Sequence, residues 1–148
     1  MTYAHHVRVR YGECDMQKVV FNANYWVYCD DAVDHWVRRA LAEVSGIVEG
    51  VFDITSIGFD FMLKKAVGTW HKAVVFGEEA VLLCSVKRWG RTSFDVAIDM
   101  RVGGETRFDA DITYVSVGVV SREAVPIPDV VKDALQLDLS GSHRSPRP

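Results

Sequence analysis

Residues 22–46 read NANYWVYCDDAVDHWVRRALAEVSG, and their apolar positions recur with the period of a helix. Tyr25, Cys29, Ala32 or Val33, Trp36 or Val37, Ala40 and Val44 form one broad stripe. Asp30, Asp31, Asp34, Arg38 and Glu43 fall mostly on the other side. Asn22 and Asn24 are the two candidate N-caps, and Gly46 supplies a C-terminal stop. The spacing predicts a helix of about five to six turns at 3.6 residues per turn, the only long one in the chain.

Around this helix the pattern turns to β. Residues 3–11, YAHHVRVRY, alternate loosely and predict a first strand. After Gly50, residues 51–64 (VFDITSIGFDFMLK) predict a long strand with Gly58 at a bulge. A loop through Gly68 then leads to HKAVVF (71–76) and FGEEAVLLCSVKRW (76–89). Two clear alternations follow. Phe94, Val96, Ile98 and Met100 face one way in the first, and Phe108, Ala110, Ile112 and Tyr114 in the second.

Face parity constrains the turn between these two strands. A two-residue Gly103-Gly104 loop sets Met100 opposite Arg107 and mixes the apolar and polar faces. A three-residue loop, Gly103 to Glu105, pairs Met100 with Phe108 and Ile98 with Ala110. The expectation is therefore an odd-length loop with a glycine at positive φ. PIPDVVKDALQ (126–136) predicts a short helix with Pro128 near its start. The polar, proline-containing stretch at 137–148 is expected to be a disordered tail, which leaves residues 1–136 as a single domain.

One strand, one long helix and at least four further strands define an α+β chain with a mainly antiparallel sheet against a single helix. Such a sheet keeps one face uncovered, and pairing through that face or an edge strand predicts an oligomer. The 148 residues suffice for one real core. A net charge of -3 argues against a dedicated nucleic-acid binder. No apolar run approaches the ~18 residues that span a bilayer. Cys14, Cys29 and Cys84 are odd in number and widely spaced, which suggests a reducing compartment. With no signal-like apolar core in MTYAHHVRVRYGE, the expected location is cytoplasmic.

The chemistry concentrates in YGECDMQKVVFNANYW, residues 11–26. Its acidic pair, Glu13 and Asp15, sits between a strand and a helix start, where backbone N–H groups lack partners. Those groups and the helix dipole can stabilise an oxyanion. A carboxylate just upstream can then attack a carbonyl held there, or activate water for the attack. The plainer alternative is that Asp15 caps a turn and Asn22 caps the helix. Cys14, flanked by carboxylates, is a poor nucleophile. No metal site is expected. His5 and His6 are adjacent and point to opposite faces of a strand, and neither His35 nor His71 has a partner at ligand spacing.

The run Tyr11-Gly12-Glu13-Cys14-Asp15, followed by Val19-Val20-Phe21-Asn22-Ala23-Asn24-Tyr25, resembles the 4-hydroxybenzoyl-CoA thioesterase family of hotdog-fold proteins. Ala73 to Glu79 resembles that family's strand–Phe-Gly-acidic turn, and Val125-Pro126-Ile127-Pro128 its last turn before a short helix. The resemblance covers about residues 5–135. It implies a hotdog fold, one long helix wrapped by a curved five- or six-stranded sheet, and hydrolysis of an acyl thioester, usually of coenzyme A, with no metal or cofactor. It implies Asp15 as nucleophile or general base, and the backbone N–H at Asn22 as the group that polarises the thioester carbonyl. It further implies a homodimer or homotetramer with active sites between subunits.

Two residues depart from the family pattern. Lys18 stands where many members have glycine; if that position needs positive φ, lysine costs on the order of 1 kcal/mol. Asp30 and Val33 replace a Glu and an Arg of the helix, removing an ion pair. Tyr25 is a candidate for the acyl pocket, with Trp26 and Phe59 or Phe61. Lys87, Arg88 and Arg91 are candidates for the phosphates of coenzyme A, with Trp89 a candidate for adenine stacking. Thr69 and His71 are further candidates from a second subunit. Release of an acyl chain from a carrier protein, and non-catalytic acyl binding, are the alternatives on the same fold.

Overall fold

The computed structural model describes residues 3–46 and 52–144. In chain order these form β1 (Tyr3–Arg8), α1 (Asn22–Val44), β2 (Asp60–Trp70), β3 (Glu79–Trp89), β4 (Ser93–Val102), β5 (Glu105–Val117), α2 (Asp129–Ala134) and β6 (Leu139–Arg144). Short 3-10 turns at Tyr11–Glu13 and Ile54–Ile57 precede α1 and β2. The six strands make one sheet in the order β2-β5-β4-β3-β1-β6. Every pairing is antiparallel except β1 with β6. This is the expected α+β arrangement, one long helix laid against a single sheet.

The helix forms where its stripe predicts. Cys29, Ala32, Val33, Trp36, Val37 and Ala40 are all fully buried. They meet the inward residues of the central strands, Leu82 and Cys84, Phe94 to Met100, and Phe108 to Tyr114 at every second position. Burying a large apolar side chain stabilises a fold by roughly 1.5–3 kcal/mol, so this interface is the chief support of the molecule. Gly46, at φ +72, ends the helix after Ser45. Val33 is one of these core residues, which is why an arginine has no place there.

Several expectations need correction. The strand expected over 51–64 begins only at Asp60. Upstream, the Asp53 side chain accepts bonds from the Thr55 N–H (3.0 Å) and hydroxyl (2.6 Å), a local alternative to a strand ladder. Gly58, at φ +72, closes that 3-10 turn and is not a bulge; the bulge falls between Leu63 and Lys65. Gly68 lies inside β2 and not in a loop. A Cβ there would stand 2.7 Å from the Trp26 ring and 2.8 Å from the Phe108 ring, so glycine lets the strand approach the helix. The 71–76 segment is a loop touching Val19 by one isolated bridge through Val75, not a strand. Leu139–Arg144, in the expected tail, runs parallel to β1 as β6.

The β4–β5 connection meets the parity argument by another route. Met100 pairs with Phe108 and Ile98 with Ala110, as expected. Yet the loop is the two-residue Gly103-Gly104 turn, with both glycines at positive φ (58° and 80°) and Val102 opposite Glu105. The register shifts between Met100 and Arg101, which leaves Arg107 as the extra residue of a bulge. The bulge re-aims Arg107: its guanidinium donates to the Ala73 carbonyl (2.7 Å) and to Glu78 (3.1 Å). Its own carbonyl accepts the His71 and Lys72 N–H groups. In this way the hairpin holds the 71–78 loop beside the helix start.

Candidate active site

After β1 the chain folds back on itself through a short hairpin that ends in α1. Cys14 and Val20 form an antiparallel bridge. The Asp15 N–H donates to the Val19 carbonyl (2.9 Å), and the Lys18 N–H donates to the Asp15 carbonyl (3.0 Å). The Phe21 N–H then donates to the Glu13 carbonyl (3.0 Å), and α1 begins at Asn22. Asp15 therefore lies near the tip of a hydrogen-bonded hairpin whose open end, Glu13 opposite Phe21, leads into the helix.

Lys18 closes that turn at φ 64, in the left-handed region. An L side chain there is strained by roughly 1–2 kcal/mol, whereas glycine is not. Lys18→Gly is expected to raise stability by about 0.5–1 kcal/mol after glycine's own entropy cost, read as a higher urea midpoint at unchanged slope.

The two acidic side chains differ in what surrounds them. Glu13 is clamped. One of its carboxylate oxygens accepts the Arg10 N–H (2.8 Å) and the Tyr28 hydroxyl (2.9 Å), and the other accepts the Arg10 guanidinium (2.9 and 3.2 Å). Burial pushes this carboxyl up, but the bonds from Arg10 and Tyr28 outweigh it and hold it below the usual carboxylate range. Burial and the bond to Glu13 push the Tyr28 hydroxyl far up, so it stays a donor. Asp15 is exposed. Its Oδ1 accepts the Gln17 N–H (2.8 Å), and Oδ2 has no partner among the described residues. The Cys14 thiol between them is raised by burial and then by both neighbouring carboxylates, in keeping with its dismissal as a nucleophile.

At the start of α1 the N-cap is Phe21, in extended conformation and with no side-chain cap. Neither asparagine caps the helix. Asn22 is its first residue, and Asn24 instead sends its side-chain amide to the Glu13 carbonyl (2.9 Å) and its backbone N–H to the Phe21 carbonyl (2.8 Å). The N–H groups of Asn22 and Ala23 belong to the first turn, where no intrahelical acceptor exists, and both residues are exposed. One short hairpin thus carries an exposed carboxylate and leads into a helix N-terminus free of side-chain caps.

The other candidates are placed elsewhere. Tyr25 is in the core and not on an open wall: it packs on Phe108 and Trp70, and its hydroxyl accepts the Val74 N–H (3.1 Å). It fastens the 71–76 loop to the helix. Phe59 is also fully buried. Lys87, Arg88 and Arg91 sit at the far end of β3, while Glu78 and Glu79 mark the end beside the site. Eleven residues of strand separate the two ends by roughly 33 Å. Lys87 pairs with Asp111 (3.1 Å), and Arg88 with Asp95 (2.7 Å) and the Ser93 hydroxyl. Trp89 packs on Phe94. His71 hydrogen-bonds Asp109, and Asp30, exposed on α1, accepts the Tyr114 hydroxyl (3.0 Å). The sequence reading missed the Glu13 clamp; its one visible sign is the three-residue spacing of Arg10 and Glu13.

No curated protein sequence matches the chain. Solved structures match it closely in shape. A 1,4-dihydroxy-2-naphthoyl-CoA thioesterase from Synechocystis superposes with a TM-score of 0.74 at 16% identity, over 91% of this chain and 96% of that one. A gentisyl-coenzyme A thioesterase gives 0.74 at 20% identity, over 89% and 98%. A Staphylococcus aureus protein in complex with CoA gives 0.78 at 10% identity, over 100% and 96%. Among the described residues no helix is long and apolar enough to cross a membrane. The family model of the thioesterase-like superfamily matches residues 9–135, from the end of β1 through α2, and the chain belongs to that superfamily as a hotdog-fold thioesterase.

Proposed function

We propose that this thioesterase hydrolyses an acyl thioester of coenzyme A, with Asp15 as the reacting carboxylate and the Asn22 N–H as the oxyanion donor. The observation that carries the reading is the contrast between the two acids of the hairpin. Glu13 has four donors on its two oxygens, whereas Asp15 keeps an oxygen open next to a helix start without a side-chain cap. As general base, Asp15 takes a proton from water as the oxygen adds to the acyl carbon. As nucleophile, it forms an anhydride that water then opens. Either way the C–S bond breaks, the thiol leaves with a proton, and the free acid is released. The helix dipole and the first-turn N–H groups favour the negative charge that develops on the carbonyl oxygen.

The site is completed, in this reading, by a second copy of the chain. β2 is an edge strand of eleven residues carrying the exposed Met62, Leu63, Val67 and Trp70. A long apolar edge of this kind is a pairing surface. Lys87, Arg88 and Arg91 meet the phosphates of coenzyme A only from another subunit. The test is thiol release from benzoyl, short-, medium- and long-chain acyl-CoAs. Turnover of at least one is expected; no release from any CoA ester, with release from an acyl carrier protein, would transfer the assignment to carrier-bound chains.

A further inference from the structure

Away from the active site, packing of β1 on α1 joins donors that the sequence keeps far apart. His5, third residue of β1, is fully buried. Asp31 and His35 lie one turn apart on α1, with their side chains 43% and 32% exposed. The His5 Nε2 is 3.1 Å from Asp31 Oδ2, and the His35 Nδ1 is 3.2 Å from Asp31 Oδ1. The two imidazole centroids are 5.0 Å apart, and one donor atom from each of the three residues falls within 4.8 Å of the others. Behind His5, the Tyr3 hydroxyl lies 3.3 Å from Nδ1.

We propose that His5, Asp31 and His35 form a binding site for a divalent transition-metal ion of the zinc class. Two imidazoles and one carboxylate are the donor set such ions take, whereas calcium and magnesium prefer oxygen alone. Bonds of ~2.1 Å put neighbouring ligand atoms roughly 3.0–3.4 Å apart; each histidine is already that close to one Asp31 oxygen, and one donor from each residue, now within 4.8 Å of the others, is drawn in on binding. The Tyr3 hydroxyl supplies the outer hydrogen bond that fixes the ring of a ligating histidine. Asp31 and His35 open the cluster to solvent, which gives the ion an entry path and leaves its remaining positions to water.

The His35 Nδ1 also lies 2.8 Å from the Asp31 backbone carbonyl, and ligation through that nitrogen gives up that bond and shifts the ring proton to Nε2. Asp31 stands nine residues along α1 from Asn22, roughly 14 Å at 1.5 Å per residue, so the ion is a staple between β1 and α1 and not a part of the thioester chemistry.

The experiment is zinc titration of the full-length, tag-free protein by calorimetry, with Co2+ absorption as a second probe. One equivalent of Zn2+ per chain is expected, together with a rise in Tm on saturation. The Co2+ complex should show visible d–d bands without the sulfur charge-transfer band that would implicate Cys14. Because His5→Gln removes a buried residue and endangers folding, the deciding variants are Asp31→Asn and His35→Gln on the exposed side. Each should lower zinc affinity at least 10-fold and abolish the Tm shift. No uptake by the wild-type protein, or uptake unchanged in both variants, overturns the site.

Discussion

Asp15→Asn is expected to slow thiol release from a good acyl-CoA substrate by roughly 10²-fold or more, about 2.7 kcal/mol of barrier, while leaving the fold intact. The substitution isolates chemistry because the asparagine carbonyl can still accept the Gln17 N–H that Asp15 Oδ1 accepts now. The hairpin's own bonds, Asp15 N–H to Val19 and Lys18 N–H to Asp15, run through backbone and are untouched. Exposed substitutions of this kind change stability by about 0.5 kcal/mol or less. What is lost is the negative oxygen, and with it both the nucleophile and the base. A steady-state comparison of kcat and KM checks the expectation: a fall in kcat with KM little changed is the expected signature. A rate within a few-fold of wild type removes Asp15 from the mechanism.

How far the sequence carried this reading depends on the range of the interactions involved. The stripe through Cys29 and Trp36 was legible because a helix repeats its environment every few residues, and the core follows it. Pairing of Met100 with Phe108 was legible from parity alone. Parity counts residues, however, and cannot tell a three-residue loop from a two-residue turn with a bulge. Arg107 makes the difference, and its partners Ala73 and Glu78 lie about thirty residues away. Residues 52–58 misled for a local reason: their alternation is that of a strand, but the Asp53 carboxylate accepts the Thr55 N–H and hydroxyl first.

The site divides in the same way. The hairpin that carries Asp15 toward the helix was legible because it is short, and Lys18 takes the positive φ that its place in the turn suggested. Asparagines 22 and 24 were misread as caps because residue type suggests a cap without saying where the backbone turns helical; that happens one residue after Phe21. Lys87, Arg88 and Arg91 were grouped by their charge, and their place at the end of β3 opposite Glu79 depends on how the sheet is laid out. Tyr25 lies in the first turns of α1, but on the face turned into the core. The clustering of His5 with Asp31 and His35 depends wholly on tertiary packing of β1 on α1.

Glu13→Ala is expected to cost roughly 2–4 kcal/mol of stability, because it removes charge-assisted bonds and leaves the buried Tyr28 hydroxyl without its acceptor. For a chain of this length that is a fall in Tm of roughly 5–10 °C. Its pH dependence separates a clamp from a simple loss of packing. The folded carboxyl is held below its unfolded value, near 4.3, so its contribution is complete above that pH and is lost as pH falls through the folded value. The stability gap between wild type and Glu13→Ala, from urea unfolding, should therefore be widest at neutral pH and narrow steadily in acid. A gap that does not change with pH would mean that the Arg10 and Tyr28 bonds do not depend on the charge. Activity completes the comparison. The Glu13 side chain also fixes the chain that carries Asp15, since it ties that segment to Arg10 on one side and to Tyr28 of α1 on the other. Loss of its side chain should thus lower kcat and Tm together, whereas Asp15→Asn lowers kcat alone, and that difference distinguishes the residue that positions from the one that reacts.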